Sequence, residues 1–161
     1  NHLPHNFLFD SFFSLLSFVG YFGAIWFVFL ILLLFWGEIK EKKALATLLL
    51  AGIFTLASEI GLKNLFGRLR PEFRIPEAIV VLDKTASLSF PSGHATIAYA
   101  AAYILSFYHR KWATWYYLFA FLISFSRIYL GKHYPSDVVA GILLGCLIGF
   151  ISVRIVRIIT K

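Results

Sequence analysis

The chain is poor in charge and in sulfur. Only 14% of its 161 residues are Asp, Glu, Lys or Arg, where soluble domains carry about 25%. The one cysteine, Cys146, lies inside an apolar run. A single thiol excludes an intramolecular disulfide and any zinc site built on cysteines. Methionine is absent and the sequence opens at Asn1, so an upstream segment stays an open expectation. What fills the space is apolar: 60% of the residues are hydrophobic and 19% aromatic. One soluble core does not hide that much apolar surface, and lipid is the expected solvent. The net charge of +7 suits an anionic partner, a lipid surface or a phosphorylated substrate. The basic residues are split between segment ends and form no continuous stripe, which speaks against nucleic acid.

The order of the chain predicts an all-α, polytopic membrane helix bundle, residues 1–161 forming one domain. Five spanning helices are expected, preceded by a short interfacial helix around Phe7, Phe9, Phe12 and Phe13 that Asp10 and Ser11 would start. The charge-free run Ser11–Gly37 is long enough for a tilted first span. A charged turn, Glu38–Lys43, leads to a second span from about Ala44 to Phe66, which contains Glu59 and Lys63 at i,i+4 spacing. That pair is either a plain helix ion pair or, since charge at membrane depth is expensive, part of a site. The long polar connection Gly67–Phe90 follows, with Ile79-Val80-Val81-Leu82 as a candidate lid segment. Further spans run from Pro91 to about Tyr108, from Trp112 to about Leu130, and from Pro135 to near Arg157. Gly141, Gly145 and Gly149 give the last of these a small face for close packing.

This layout places three polar clusters at one membrane face. The first is Lys63-x6-Arg70-Pro71; seven residues are two helical turns, so both cations share a face if the helix continues, and Pro71 would end it there. The second is Pro91-Ser92-Gly93-His94, where Ser92 is a good N-cap, Gly93 permits close backbone approach, and the helix-start amides suit phosphate. The third is Ser126-Arg127-x5-His133-x3-Asp137, in which Asp137 lies one turn beyond His133 and is placed to hold an imidazole nitrogen. Each cluster has a plainer explanation. Lys63 and Arg70 could snorkel to head groups; Ser92 could be only a cap and His94 only an interfacial residue; Asp137 could only complement a helix start. Together, three cations, two histidines, one histidine-orienting acid and a helix-start amide nest on one face read as a phosphate site.

In this order and spacing the clusters resemble the three motifs of the type 2 phosphatidic acid phosphatase superfamily, without departure over Lys63–Asp137. Many members have six spans, against five and an amphipathic start here. The resemblance implies a catalytic set of His133, His94 and Asp137: His133 attacks phosphorus to form a phosphohistidine, Asp137 orients it, and His94 protonates the leaving oxygen and then activates water. Lys63, Arg70, Ser92, Gly93 and Arg127 would bind the phosphate. Fixed cations can supply the charge neutralisation that phosphoryl transfer needs. Glu59 and Asp137 are the only acids near the embedded site, so no metal site and no cofactor are expected.

The implied partners are the bilayer and a lipid phosphate or pyrophosphate, with no obligatory protein partner and no nucleic acid. The implied location is a bacterial inner membrane. Short basic flanks, Lys40, Lys42, Lys43, Arg110, Lys111, Arg154, Arg157 and Lys161, mark the cytoplasmic side. The motif side is nearly as basic, but several of its cations serve the anion site, so that side is expected to face the periplasm or outside. The expected function is lipid A 1-phosphatase. Undecaprenyl pyrophosphate, phosphatidylglycerol phosphate and phosphatidic acid are alternative substrates. A lipid phosphotransferase and a non-enzymatic lipid transporter or binding protein are alternative activities.

Overall fold

The computed structural model describes residues 3–20, 26, 28, 31, 39–75, 77–81 and 88–160. Among these every regular element is helical: α1 (Phe7–Val19), α2 (Ile39–Phe66), the single turn α3 (Pro71–Arg74), α4 (Gly93–Tyr108), a 3₁₀ turn (Arg110–Trp112), α5 (Ala113–Tyr129) and α6 (Pro135–Ile159). Among the described residues, two segments, Lys42–Arg74 and Pro135–Ile159, are long and apolar enough to cross a membrane. The helices α4 and α5 have 16 and 17 residues, short of the roughly 20 that a hydrocarbon core requires. Most of the expected first span, Ser11–Gly37, falls outside the described residues.

Two helix starts differ from expectation. Helix α1 starts before Asp10, because the Asn6 side chain accepts a hydrogen bond from the Phe9 amide at 2.9 Å and caps the helix there. Helix α2 begins at Ile39, so most of the charged turn is its first turn; Lys and Glu are good helix formers, and nothing there breaks the run. The same helix ends at Phe66, the expected end of the second span, where Gly67 takes a left-handed backbone with φ 56°.

Helix α4 is the centre of the bundle and packs against α2, α5 and α6. Its small residues make this possible: Ala95, Ala98, Ala100, Ala101 and Ala102 are fully enclosed with Ile104 and Leu105. The neighbouring helices have one face in and one face out. On α2, Leu49, Ile53, Leu56 and Ile60 are exposed at three- and four-residue spacing, while Ala44, Thr47, Leu48, Ala51 and Thr55 are buried. An apolar outer stripe with that period is a lipid-facing surface. On α6, Val139, Leu143 and Leu147 face out and the glycine face turns in.

That glycine face meets backbone. A Cβ at Gly145 would lie 2.3 Å from the Thr96 carbonyl oxygen, and one at Gly141 would lie 2.7 Å from that of Ser92. Both contacts are with helix α4 or its cap, which cannot yield as a side-chain tip would. Gly145→Ala is expected to destabilise the bundle by about 1–3 kcal/mol, read as a lowered unfolding midpoint in detergent. An unchanged midpoint would mean that α4 and α6 are not in backbone contact.

Candidate active site

The site is assembled at the start of α4, the end of α5 and the start of α6. Arg127 sits in the last turn of α5. Gly131 then takes φ 69°, and the chain folds back so that the Lys132 and His133 amides both donate to the Arg127 carbonyl, at 3.0 and 3.2 Å. This closure satisfies a helix-end carbonyl and sets His133 beside Arg127. Only glycine fits at Gly131 for a second reason: a Cβ there would meet the Ile79 carbonyl at 2.3 Å. Ile79 and Val80 of the candidate lid therefore lie across this turn; Leu82 is outside the described residues.

Arg70 reaches His133 from the other side. Lys63 and Arg70 do not share one helix face, because α2 ends between them; Arg70 is an extended residue with ψ 159° just before Pro71 opens α3. Its Nη1 donates to the Lys132 carbonyl at 2.9 Å and lies 3.2 Å from His133 Nε2. A guanidinium has no acceptor, so Nε2 must carry the lone pair and the ring proton must be on Nδ1. Burial pushes the His133 imidazole down to about 3; the Arg70 and Arg127 charges act in the same direction and Asp137 opposes them. His133 is thus a neutral imidazole at neutral pH, with its lone pair on Nε2 turned toward Arg70.

The Nδ1 side is built around Asp137, which is completely enclosed. Asp137 Oδ2 lies 3.7 Å from His133 Nδ1, too far for a direct hydrogen bond. Ser89 stands between them. Its hydroxyl donates to Asp137 Oδ2 at 2.5 Å, leaving its oxygen, 3.5 Å from Nδ1, to face the imidazole proton. Asp137 thus faces the Nδ1 side of the ring as expected, across a long contact that runs alongside Ser89. The Tyr134 amide also donates to Oδ2 at 3.0 Å, and Arg68 Nη1 donates to Oδ1 at 2.7 Å. Arg68 further donates to Ser136 Oγ at 2.8 Å and stacks on the Tyr134 ring at 4.0 Å.

Motif two joins through its backbone. The Ser92 amide donates to the Asp137 carbonyl at 3.1 Å, tying the start of α4 to the start of α6. Ser92 is fully buried and caps α4, accepting from the Ala95 amide at 3.5 Å; its hydroxyl still has a proton to donate. His94 lies in the first turn of α4, within electrostatic reach of Arg127, His133 and Arg70. Arg127 is buried and donates through Nη1 to Ser17 Oγ of α1. Its Nε–H is also buried and meets no acceptor among the described residues, an open donor beside the two histidines.

Lys63 pairs with Glu59 at 2.5 Å. That pair sits over Gly93, since a Cβ at Gly93 would come within 2.4 Å of Glu59 Oε2. Glu72 pairs with Lys132 at 3.0 Å, both side chains being almost fully buried. Each acid around the site is therefore matched by a cation: Glu59 by Lys63, Glu72 by Lys132 and Asp137 by Arg68.

The structure thus brings His133, His94, Asp137, Arg70, Arg127, Ser92 and Gly93 together, with Lys63 at the edge. Sequence reasoning missed Arg68, Ser89 and the Glu72–Lys132 pair. Arg68 and Glu72 carried no signal beyond membership of a polar connection. Ser89 had a faint one: a lone hydroxyl between apolar residues just ahead of motif two.

A family model described as the PAP2 superfamily matches residues 41–161. The chain belongs to the PAP2 superfamily. Its relatives include an undecaprenyl-diphosphatase of Sulfolobus acidocaldarius, 35% identical over 72% of this chain and 57% of that one. An undecaprenyl-diphosphatase of Bacillus subtilis is 30% identical over 93% of this chain and 76% of its own length. A lipid A 1-phosphatase of Porphyromonas gingivalis is 33% identical over 71% of this chain, which spans only 23% of that protein. Among solved structures, LpxE of Aquifex aeolicus superposes with a TM-score of 0.77 at 31% identity, covering 94% of this chain and 88% of that one. A transmembrane PAP2-type phosphatidylglycerolphosphate phosphatase of Bacillus subtilis shares the fold, with a TM-score of 0.71 at 23% identity. This PAP2 chain is thus a helical bundle, and it spans 57% of the length of the Sulfolobus relative. Its third motif and most of its second are held in place by α4, α5 and α6, while α1 lies outside the matched residues.

Proposed function

We propose that the protein is an integral-membrane lipid phosphatase that hydrolyses a phosphate monoester or pyrophosphate on a lipid head group through a phosphohistidine on His133. The observation that carries this reading is the tautomer of His133: Arg70 fixes the lone pair on Nε2, beside the open Nε–H of Arg127. A nucleophilic nitrogen next to buried guanidinium donors suits a phosphoryl group.

In the first step Nε2 attacks phosphorus and the P–O bond to the lipid breaks. His94 gives its proton to the leaving oxygen. Arg70 and Arg127 neutralise the equatorial oxygens, with Ser92, the Gly93 amide and Lys63 around them. As the P–N bond forms, the imidazole becomes cationic, and Asp137 with Ser89 stabilises the Nδ1–H. In the second step His94 takes a proton from water, the hydroxide attacks phosphorus, the P–N bond breaks, and inorganic phosphate leaves. The three acids near the site are each engaged by a cation, so the charge balance rests on arginine and lysine.

The proposed substrate is lipid A at its 1-phosphate, supported by the lipid A 1-phosphatase of Porphyromonas gingivalis, 33% identical over 71% of this chain. Undecaprenyl diphosphate is the second reading, favoured by the Bacillus subtilis relative that matches 93% of this chain. The proposed location is the bacterial inner membrane with the site toward the periplasm. The test is phosphate release by the purified full chain in detergent. Lipid A and undecaprenyl diphosphate would be supplied in parallel, with and without EDTA. Release of inorganic phosphate from one of them, unchanged by EDTA, is expected. No release from either would sink the phosphatase reading. Transfer of labelled phosphate to a second lipid would make the protein a phosphotransferase, and EDTA inhibition reversed by a divalent ion would overturn the metal-free mechanism.

A further inference from the structure

We propose that Ser17 of α1 is a positioning residue for the phosphate clamp, so that α1 completes the site. Ser17 is one of two buried residues of α1, on a helix whose Phe7, Leu8, Phe9, Phe12, Leu15 and Phe18 face outward. A hydroxyl on the inner face of so apolar a helix calls for a partner. Ser17 has two. Its Oγ accepts from Arg127 Nη1, and its backbone carbonyl accepts a hydrogen bond from the His94 ring. One residue thus touches both a clamp cation and the acid–base histidine.

The consequences follow from donor geometry. Arg127 is a long side chain with a buried head, and a guanidinium fixed at one Nη presents its remaining N–H groups in set directions. With Nη1 held by Ser17, the open Nε–H keeps its aim. The carbonyl contact on His94 holds one ring nitrogen as a donor and so leaves the other to exchange the catalytic proton. Helix α1 is held in register for this task. Near its start the Tyr129 hydroxyl donates to Asp10 Oδ1 at 2.7 Å, and His5 Nδ1 lies 2.9 Å from the same oxygen. Phe13 packs on the Tyr129 ring at 4.3 Å. Tyr129 lies two residues beyond Arg127 on α5, so the anchor and the Ser17 contact join the same two helices.

This inference rests on the proposed phosphatase activity, and the test separates the two. Ser17→Ala removes the hydroxyl and leaves the carbonyl. It is expected to lower kcat/KM by about 10- to 100-fold, the worth of a hydrogen bond to a charged group, and to weaken orthovanadate inhibition by a similar factor. Ser17→Thr keeps a hydroxyl at the same carbon and is expected to restore most of both. In an Arg127→Lys background Ser17→Ala should cost less than about 3-fold, because the partner is already gone. Unfolding midpoints should stay level across the set. If wild-type protein turns over and Ser17→Ala matches it in rate and vanadate affinity, Ser17 does not position Arg127. The same conclusion holds if the two losses multiply in full. If the wild-type protein releases no phosphate from either lipid, the phosphatase reading itself has failed.

Discussion

His133→Ala is expected to abolish turnover, by about 10⁴-fold or more, while the protein folds and still binds phosphate. Three features make the loss this large and this specific. The ring supplies the attacking nitrogen, and nothing beside it can replace it: Arg70 and Arg127 are cations, and His94 is placed as the proton carrier. The turn that holds residue 133 is backbone-made, through its amide and that of Lys132 to the Arg127 carbonyl, so removing the ring leaves the turn intact. Arg127 also keeps its Ser17 partner. Phosphate affinity should therefore fall far less than kcat. The second readout is the intermediate. Quenching wild-type protein early with labelled lipid should leave protein-bound phosphate that acid removes and alkali spares, as a P–N bond requires; His133→Ala should carry none. Label in the variant would move the nucleophile to another residue. The acid side of the pH profile adds a check. With the His133 pKa at about 3, the free enzyme keeps a neutral nucleophile as pH falls from 7 to about 5. An acidic limb of kcat/KM in that interval has to come from another group or from the phosphate.

How much of this was legible in the sequence depends on the kind of contact. The motif residues were legible only together: each cluster alone has a plain structural explanation, and the coincidence of cations, histidines and an acid on one face is what points to phosphate. The glycine face of α6 was equally readable, since a four-residue repeat of glycine means close helix approach, and the α4 backbone lies against it. What escaped was contact between distant segments. Arg68 and Asp137 are 69 residues apart and Arg127 and Ser17 are 110 apart, separations that carry no periodic signal. Lys63 and Arg70 would share a face only if the helix continued between them, and it ends there, where Gly67 turns left-handed. Arg70 arrives at His133 through a bend, from a direction that counting residues along a helix does not give.

Asp137→Asn is expected to lower kcat by about 10²- to 10⁴-fold, the cost of a wrongly held imidazole, with KM little changed. The carboxylate touches no phosphate oxygen; its work is to receive hydrogen bonds. Arg68 donates to Oδ1, while Ser89 and the Tyr134 amide donate to Oδ2. An amide offers one oxygen and one NH₂. If the NH₂ takes the Oδ1 place it faces the Arg68 guanidinium, donor against donor. If it takes the Oδ2 place it faces the Tyr134 amide, and Ser89 must turn to accept from it. The Ser89 proton then points at His133 Nδ1, which drives the ring proton to Nε2, where Arg70 donates and where attack requires a lone pair. Either way the nucleophile loses its tautomer or its neighbour loses its partner, and the imidazolium that forms on attack has no negative charge behind it. Ser89→Ala separates these causes. It keeps the carboxylate and removes only the bridge, so a loss nearer tenfold is expected. Measuring kcat and KM for both variants at saturating lipid, with unfolding midpoints as the control, decides the matter. Wild-type kcat from Asp137→Asn would reduce Asp137 to a helix-start residue. Equal losses from the two variants would place the effect in the Ser89 bridge rather than in the charge.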